Sequence, residues 1–195
     1  MPGGWLMAGF KLTIDLDGQN QLTAMQAFLS PATFERALKG GTQYAAKATP
    51  PAIAKAVGAR YTWKAGDIKN KDLKGPTFSD GGTTATIRLS RIPRTAAAFG
   101  GRQIKRGYSF AIFKGQRQTF TRGFLAPGKQ GIMLPFNRLG KERYPIDVIH
   151  GPSLGSVFMG DSKFGAVMQK EVEARMSEQF VKGIERELAR KRRGY

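Results

Sequence analysis

At 195 residues, 41% of them apolar and 13 of them Phe, the chain is long enough for a real hydrophobic core and is bounded at one large domain or two small ones. Thirty-two Lys and Arg against fourteen Asp and Glu leave a formal net charge of +18 and a pI near 10.6, which calls for a polyanionic or strongly acidic partner without saying which. The absence of Cys and the presence of one histidine, His150, exclude disulfides, thiolate metal sites, iron–sulfur clusters, thiol nucleophiles and any two-histidine metal centre within the chain.

Met1–Phe10 lacks the charged and apolar regions of a secretory signal, and no later apolar run approaches the roughly 18 to 20 residues of a membrane span. The chain therefore reads as soluble and cytosolic when made, with no membrane partner. Phe10–Leu16 alternates apolar and polar residues and stops at Asp17-Gly18, the pattern of a strand and turn. Gln21–Leu29 is helix-compatible. Ser30-Pro31 then supplies an N-cap and a proline at the first helical position. Phe34, Ala37, Leu38, Gly41, Tyr44, Ala45 and Ala48 follow at three- and four-residue steps, one apolar helix face. Gly40-Gly41 within it suggests either a break or a second backbone packed close by. Thr49-Pro50 is read as a restart, carrying Ile53, Ala56 and Val57 in a further helix up to Gly58.

Lys64–Lys74 is a lysine-rich surface helix or loop anchored by Ile68 and Leu73. Asp80-Gly81-Gly82 turns the chain into Thr83–Ile92, where Ala85, Ile87 and Leu89 alternate with Thr86, Arg88 and Ser90 in the cleanest strand pattern of the sequence. Residues 94–107 read as a flexible basic loop. Strands are expected at Tyr108–Lys114, Thr119–Leu125 and Ile132–Phe136, spaced for an antiparallel meander, and again at Tyr144–Ile149. From Asp161 or Ser162 a long helix runs over 162–193, with Phe164, Met168, Val172, Met176, Phe180, Ile184 and Leu188 every four residues and Val167 and Val181 beside them. Its length suggests that part of this stripe faces a neighbouring subunit, and Glu171–Arg175, Glu178–Lys182 and Glu187–Lys191 stand at ion-pair spacing. The order of elements gives an α+β fold: an antiparallel β-sheet of about four to five strands packed with N-terminal Ala-rich helices and one long C-terminal helix. No repeat or linker divides it, so 1–195 is expected as a single domain, with 1–29 as an N-terminal arm or edge strand.

His150 is the obvious base and Asp147 lies three residues away, but residues three apart in a strand point to opposite faces. The simpler reading is a strand-end histidine in contact with backbone. Asp67, Asp72 and Asp80 are scattered in lysine-rich loop, and the glutamates of the last helix suit a solvated face better than a Mg²⁺ site. A nuclease using Asp67, Asp72 or Glu142 is thus the weakest reading. Neither a phosphate-binding loop nor a G-x-G-x-x-G fingerprint occurs. No catalytic residue, metal or cofactor is assigned.

What remains is the positive field, concentrated between Arg36 and Arg143, where 22 basic residues face four acids. Arg94, Arg102, Lys105, Arg106, Arg117 and Arg122 are the cations expected to meet nucleic acid or an acidic protein. The Phe and Tyr side chains interleaved with them over Arg102–Phe124 are read as the inward side of strands rather than as base-stacking platforms.

Gly140-Lys141-Glu142-Arg143-Tyr144-Pro145-Ile146-Asp147-Val148-Ile149, followed by Gly151-Pro152-Ser153, closely resembles the G-K-x-R-Y-P-I-x-x-x-x-G-P-S signature of the minor tail protein Z family of long-tailed bacteriophages. Looser, collinear agreement runs from about Phe34: the Ala-rich helix region Phe34–Arg60, the A-x-I-x-[LV] strand at Ala85–Leu89, Gly123–Leu125, and the long charged C-terminal helix. The resemblance implies a non-enzymatic tail-completion component at the neck. It implies a homo-oligomeric ring, hexameric by analogy with tail symmetry, in contact with tail tube and tail terminator proteins, head connector proteins and the packaged DNA. Arg143, Tyr144, Pro145, Ile146, Asp147, Gly151 and Pro152 carry over as a structural or interface element, with a trans Tyr144–Pro145 bond as the default. The alternative is a stand-alone, sequence-nonspecific nucleic-acid-binding protein.

Overall fold

The computed structural model describes residues 8–10, 27, 29–128, 131–159 and 164–192. The fold is α+β, and two long helices form its spine. Helix α1 (Pro31–Arg60) begins where Ser30-Pro31 directs, with Thr33 and Phe34 donating their N–H groups to the Ser30 carbonyl at 2.9 and 3.0 Å. It then runs unbroken through Gly40-Gly41 and through Pro50-Pro51, where the sequence suggested a restart. The prolines withhold two backbone donors, at a cost of roughly 3 kcal/mol each in an ordinary helix interior. Packing on both sides outweighs it. Ala45, Ala46 and Thr49 are buried before the pair and Ile53, Ala54, Ala56 and Val57 after it, while Thr49 Oγ1 donates to the Ala45 carbonyl at 2.8 Å.

A short helix α2 (Leu154–Met159), not foreseen, precedes the long helix α3 (Gly165–Arg192). Ser153 caps α2, its Oγ accepting the Ser156 N–H at 3.1 Å while Ser156 Oγ accepts the Ser153 N–H at 3.1 Å. The expected N-cap at Asp161 or Ser162 lies outside the described residues. Met168, Val172, Met176, Phe180 and Ile184 of α3 are buried, as their spacing requires. This stripe packs within the chain, Phe180 and Ile184 against Ala37 and Ala45 of α1 and the others into the main core, rather than toward a neighbour. Val167 and Val181, expected beside it, point to solvent at 47% and 45% exposure. Where α1 and α3 cross, glycine meets glycine: a Cβ built on Gly183 would stand 2.8 Å from Gly41 Cα and 2.9 Å from the Gly40 carbonyl oxygen. The close backbone approach suggested by Gly40-Gly41 is therefore present.

The strands form three small antiparallel sheets in place of the single sheet expected. In the first, β3 (Thr84–Leu89) lies between β2 (Leu73–Ser79) and β1 (Ala8–Phe10). Only Phe10 of the expected strand Phe10–Leu16 falls in β1; the rest of it, and most of Gln21–Leu29, lie outside the described residues. The second sheet joins β4 (Arg102–Ile104), β5 (Gly107–Phe110) and β6 (Gln118–Phe120), and the third joins β7 (Gly123–Pro127), β8 (Met133–Arg138) and β9 (Ile146–Val148). The expected strand Thr119–Leu125 is thus cut at Thr121–Arg122, and its halves enter different sheets. Gly123 makes the cut feasible, since a Cβ there would press to 2.7 Å from Tyr108 Cβ as β7 passes β5.

Residues 94–107 are not one flexible loop. Ala96–Phe99 forms a single 3-10 turn whose Ala96 and Phe99 are fully buried, and β4 follows. Phe99 meets Trp63 edge-on at 5.0 Å, and the Ala96 N–H donates to the Ile149 carbonyl at 2.8 Å. Tyr108 and Phe110 are buried, with Phe120 stacked on Phe110 at 5.6 Å, so the aromatics of this basic region serve the core. Ile68 and Leu73 anchor the lysine-rich segment 64–74 as its pattern required.

Candidate functional site

Three chain reversals bring cations to one place. The first is the two-residue turn Lys105-Arg106 between β4 and β5, closed by the Ile104↔Gly107 pair. Gly107 sits at φ 129, and a Cβ on it would collide with the Phe120 carbonyl oxygen, so the tightness of this hairpin depends on glycine. The second is Thr121-Arg122 between β6 and β7. The third is the end of β8, where the Arg138 N–H donates to the Arg122 carbonyl at 3.3 Å and the chain passes through Gly140 and Lys141.

Lys105, Arg106, Arg122, Arg138 and Lys141 thereby line one open cleft of about 390 Å³, and none of the residues lining it is acidic. Gln103 ties the parts together. Its Nε2 donates to the Gly107 carbonyl at 2.9 Å and its Oε1 accepts the Leu125 N–H at 2.9 Å, which fastens the β4–β5 hairpin to β7. Phe124 also lines the cleft, but its ring is stacked on Phe136 at 5.9 Å and overlain by the Arg138 guanidinium at 5.1 Å. The cleft therefore offers charge and little aromatic face. It is suited to attract phosphates or carboxylates by screened Coulomb forces.

Of the six basic residues singled out from the sequence, Lys105, Arg106 and Arg122 come together here, and Arg94, Arg102 and Arg117 do not line the cleft. Arg94 is structural. Its Nε and Nη2 both reach Asp72 Oδ1 at 2.7 Å, and Asp72 is 1% exposed. Burial pushes the Asp72 carboxyl above its usual range, with Arg94 working against that rise. Arg117 donates from Nη2 to the Gly100 carbonyl at 2.7 Å, and Arg102 is exposed on β4, paired with Ser109. Arg138, Lys141 and Gln103 were not singled out from the sequence. Lys141 lay in the recognised run, but only the meeting of two sheets shows which way that run faces.

The signature segment divides into two parts. Arg143, Tyr144 and Pro145 are exposed in the loop between β8 and β9, Ile146 and Asp147 lie in β9, and Gly151-Pro152 packs inward. Gly151 has Phe99 where a side chain would go, and its N–H donates to the Arg94 carbonyl at 2.7 Å; the Pro152 carbonyl accepts the Arg94 N–H at 3.4 Å. The Asp72–Arg94 pair thus supports the inward end of the signature. Tyr144–Pro145 is cis, against the trans default, as is Gly75–Pro76. His150 is exposed and bridges Thr95, while the Asp147 carboxylate accepts the Val148 N–H at 2.8 Å, so the two form no dyad.

Among the described residues, no three His, Asp or Glu side chains converge as a metal ion would need, and no helix is long and apolar enough to cross a membrane. Three of the five carboxylates of α3, Glu171, Glu178 and Glu187, stand in ion pairs. Arg60 bonds Glu171 in a fork at 2.6 and 3.1 Å and draws its carboxyl below the usual range; Lys182 and Arg175 do the same to Glu178. Of the ion pairs expected along α3, Glu178–Lys182 forms at 2.5 Å, Glu171 turns to α1 instead, and Glu187 stands 3.9 Å from Arg190.

A family model described as prophage minor tail protein Z matches residues 47–192, a span that begins within α1 and includes the whole cleft and the signature segment. No curated protein and no solved structure matches the chain.

Proposed function

Because the chain belongs to the prophage minor tail protein Z family, and is thereby a structural protein of a phage tail, we propose that it forms a homo-oligomeric ring at the head-proximal end of that tail. In this role it joins the tail tube and terminator to the head connector and performs no catalysis. It assembles in the host cytoplasm and ends in the neck of the virion, with its basic cleft turned toward the path of the packaged DNA.

The observation that carries the DNA-facing part of this reading is the cleft itself: five cations from three separate turns, with no carboxylate among the lining residues. Cations so placed repel one another, and a polyanion relieves that repulsion while releasing counterions. Base recognition needs side chains fixed at hydrogen-bonding geometry. The lining here is long flexible Lys and Arg together with backbone, which supports sequence-independent attraction.

Reconstruction of tails carrying the protein tests the reading. Density for a closed ring at the upper end of the tail, with Arg122 and Arg138 toward the lumen, is the expected result. Density elsewhere in the particle, or the cleft facing outward, would refute it. The competing reading, a free nucleic-acid-binding protein, draws on the same +18 charge and predicts tight binding of DNA by isolated subunits at physiological salt. Purified protein that ignores DNA under those conditions yet enters tails removes it.

A further inference from the structure

Resting on the ring reading above, we propose that neighbouring copies join head to tail, the β8–β9 loop of one copy seated on the outward face of α3 of the next.

The loop spans Leu139–Pro145. It is closed at its base by the Arg138↔Ile146 pair and by the Leu139 N–H donating to the Pro145 carbonyl at 3.1 Å. Inside that closure its side chains contribute little to the fold. Lys141–Pro145 are all exposed, and Leu139 and Tyr144, at 61% and 65%, are the most exposed large apolar side chains among the described residues. The Arg143 guanidinium lies 5.9 Å from the Tyr144 ring centroid, so ring and cation are presented together. Tyr and Arg at the centre of a patch are the composition of a protein contact. The outer surface of a duplex is mostly phosphate and sugar and covers little of Leu139 and Tyr144 together, which favours a protein as the occupant.

Charge selects the surface that receives it. Arg138, Lys141 and Arg143 surround the loop against one acid, Glu142, and two copies at +18 repel if basic face meets basic face. The receiving surface needs carboxylates, and five of the fourteen acids of this chain lie on α3. Val167, Glu171, Ala174, Glu178, Val181 and Glu185 follow one another along α3 at steps of four and three, so they share one face, and all six are exposed. This face lies opposite the buried stripe and alternates apolar and acidic side chains, the complement of a basic loop tipped by Leu and Tyr. Glu178 is engaged in exposed pairs that exchange partners at little cost, Glu171 is held in a fork by Arg60, and Glu185 has no ion pair among the described residues. Because the two patches are different parts of one chain, the contact is heterologous, which is the kind that generates a ring when its rotation closes.

The chain holds no Cys, so Tyr144→Cys with Val181→Cys introduces the only thiols, at two exposed positions. In tails assembled with the full-length double variant, a short bismaleimide should give a ladder of multimers ending at the copy number of the ring. Tails assembled from a mixture of the two single variants should give dimers and nothing larger. Several copies per tail with no band above the monomer would overturn the proposed contact and leave the ring standing, as would dimers from Tyr144→Cys alone. One copy per tail would overturn the ring itself. Independently of cross-linking, Arg143→Glu should lower incorporation into tails about tenfold, and Glu185→Arg in the same chain should recover it. Unchanged incorporation of the first variant, or no recovery in the second, overturns the contact.

Discussion

Gly183→Ala tests whether the spine is held by backbone contact or only by the apolar side chains around it. The added methyl would stand 2.8 Å from Gly41 Cα, 2.8 Å from Tyr44 Cβ and 2.9 Å from the Gly40 carbonyl oxygen. Comfortable carbon contacts are about 3.5–4.0 Å, and two of these three neighbours are backbone atoms that cannot rotate away, so α1 and α3 must part by about 1 Å. Overpacking of this kind costs about 1–3 kcal/mol, and the better helix propensity of alanine returns up to about 1 kcal/mol. Gly58→Ala, in the last turns of α1, is the control, because a Cβ there meets nothing within 4 Å. It should stabilise by about 0.5–1 kcal/mol. The propensity gain is common to both variants, so the difference between them isolates the steric term of about 1–3 kcal/mol. Urea denaturation followed by circular dichroism measures it, read as midpoint shifts at constant slope. A Gly183→Ala protein as stable as Gly58→Ala would show that the crossing has room, and the close approach would lose its energetic meaning.

Arg94→Met leaves the Asp72 carboxylate buried without its cation and should cost about 3 kcal/mol or more near neutral pH. Since burial raises the folded-state pKa of Asp72, its ionisation opposes folding: stability is greatest below the unfolded carboxylate value and falls as pH rises through the folded one. Without Arg94 that fall deepens, so the gap from the parent protein should narrow on going from about pH 7 to about pH 4, by urea midpoints at each pH. Gln103→Ala removes the acceptor of the Leu125 N–H and should cost about 1 kcal/mol, with faster hydrogen exchange at that amide as its specific mark. Arg122→Gln or Arg138→Gln should each reduce the log–log salt slope of DNA binding by about 0.9, uniformly across DNA sequences. A slope unchanged in both would remove the cleft from the phosphate path.

Local pattern carried the elements whose partners are settled by one apolar face. The four-residue stripe from Met168 to Ile184, the alternation that ends in Ile87 and Leu89, and the Ser30-Pro31 start of α1 all read correctly because each is decided within a few residues. Pro50-Pro51 misled because the proline rule prices an isolated helix, whereas here Ala45, Ala46, Ile53 and Val57 are buried on both sides of the pair. Thr119–Leu125 has strand composition throughout, and what divides it is Tyr108, distant in sequence and touching Gly123. The cleft was half legible for the same reason. A basic stretch names Lys105, Arg106 and Arg122, but Arg138 and Lys141 join them only through the pairing of β7 with β8 and the approach of the third sheet to the second.

The makeup of the cleft has a mechanical consequence. A surface built of long-stemmed cations, with its single aromatic ring already occupied by Arg138 and Phe136, has no notch in which one base or one register of a polymer sits lower in energy than the next. On the proposed reading, its hold on a threaded polyanion is a smooth trough and not a row of detents. In that role a strand is kept centred while at rest and still glides lengthwise with little friction once the far end is released, as in a bearing.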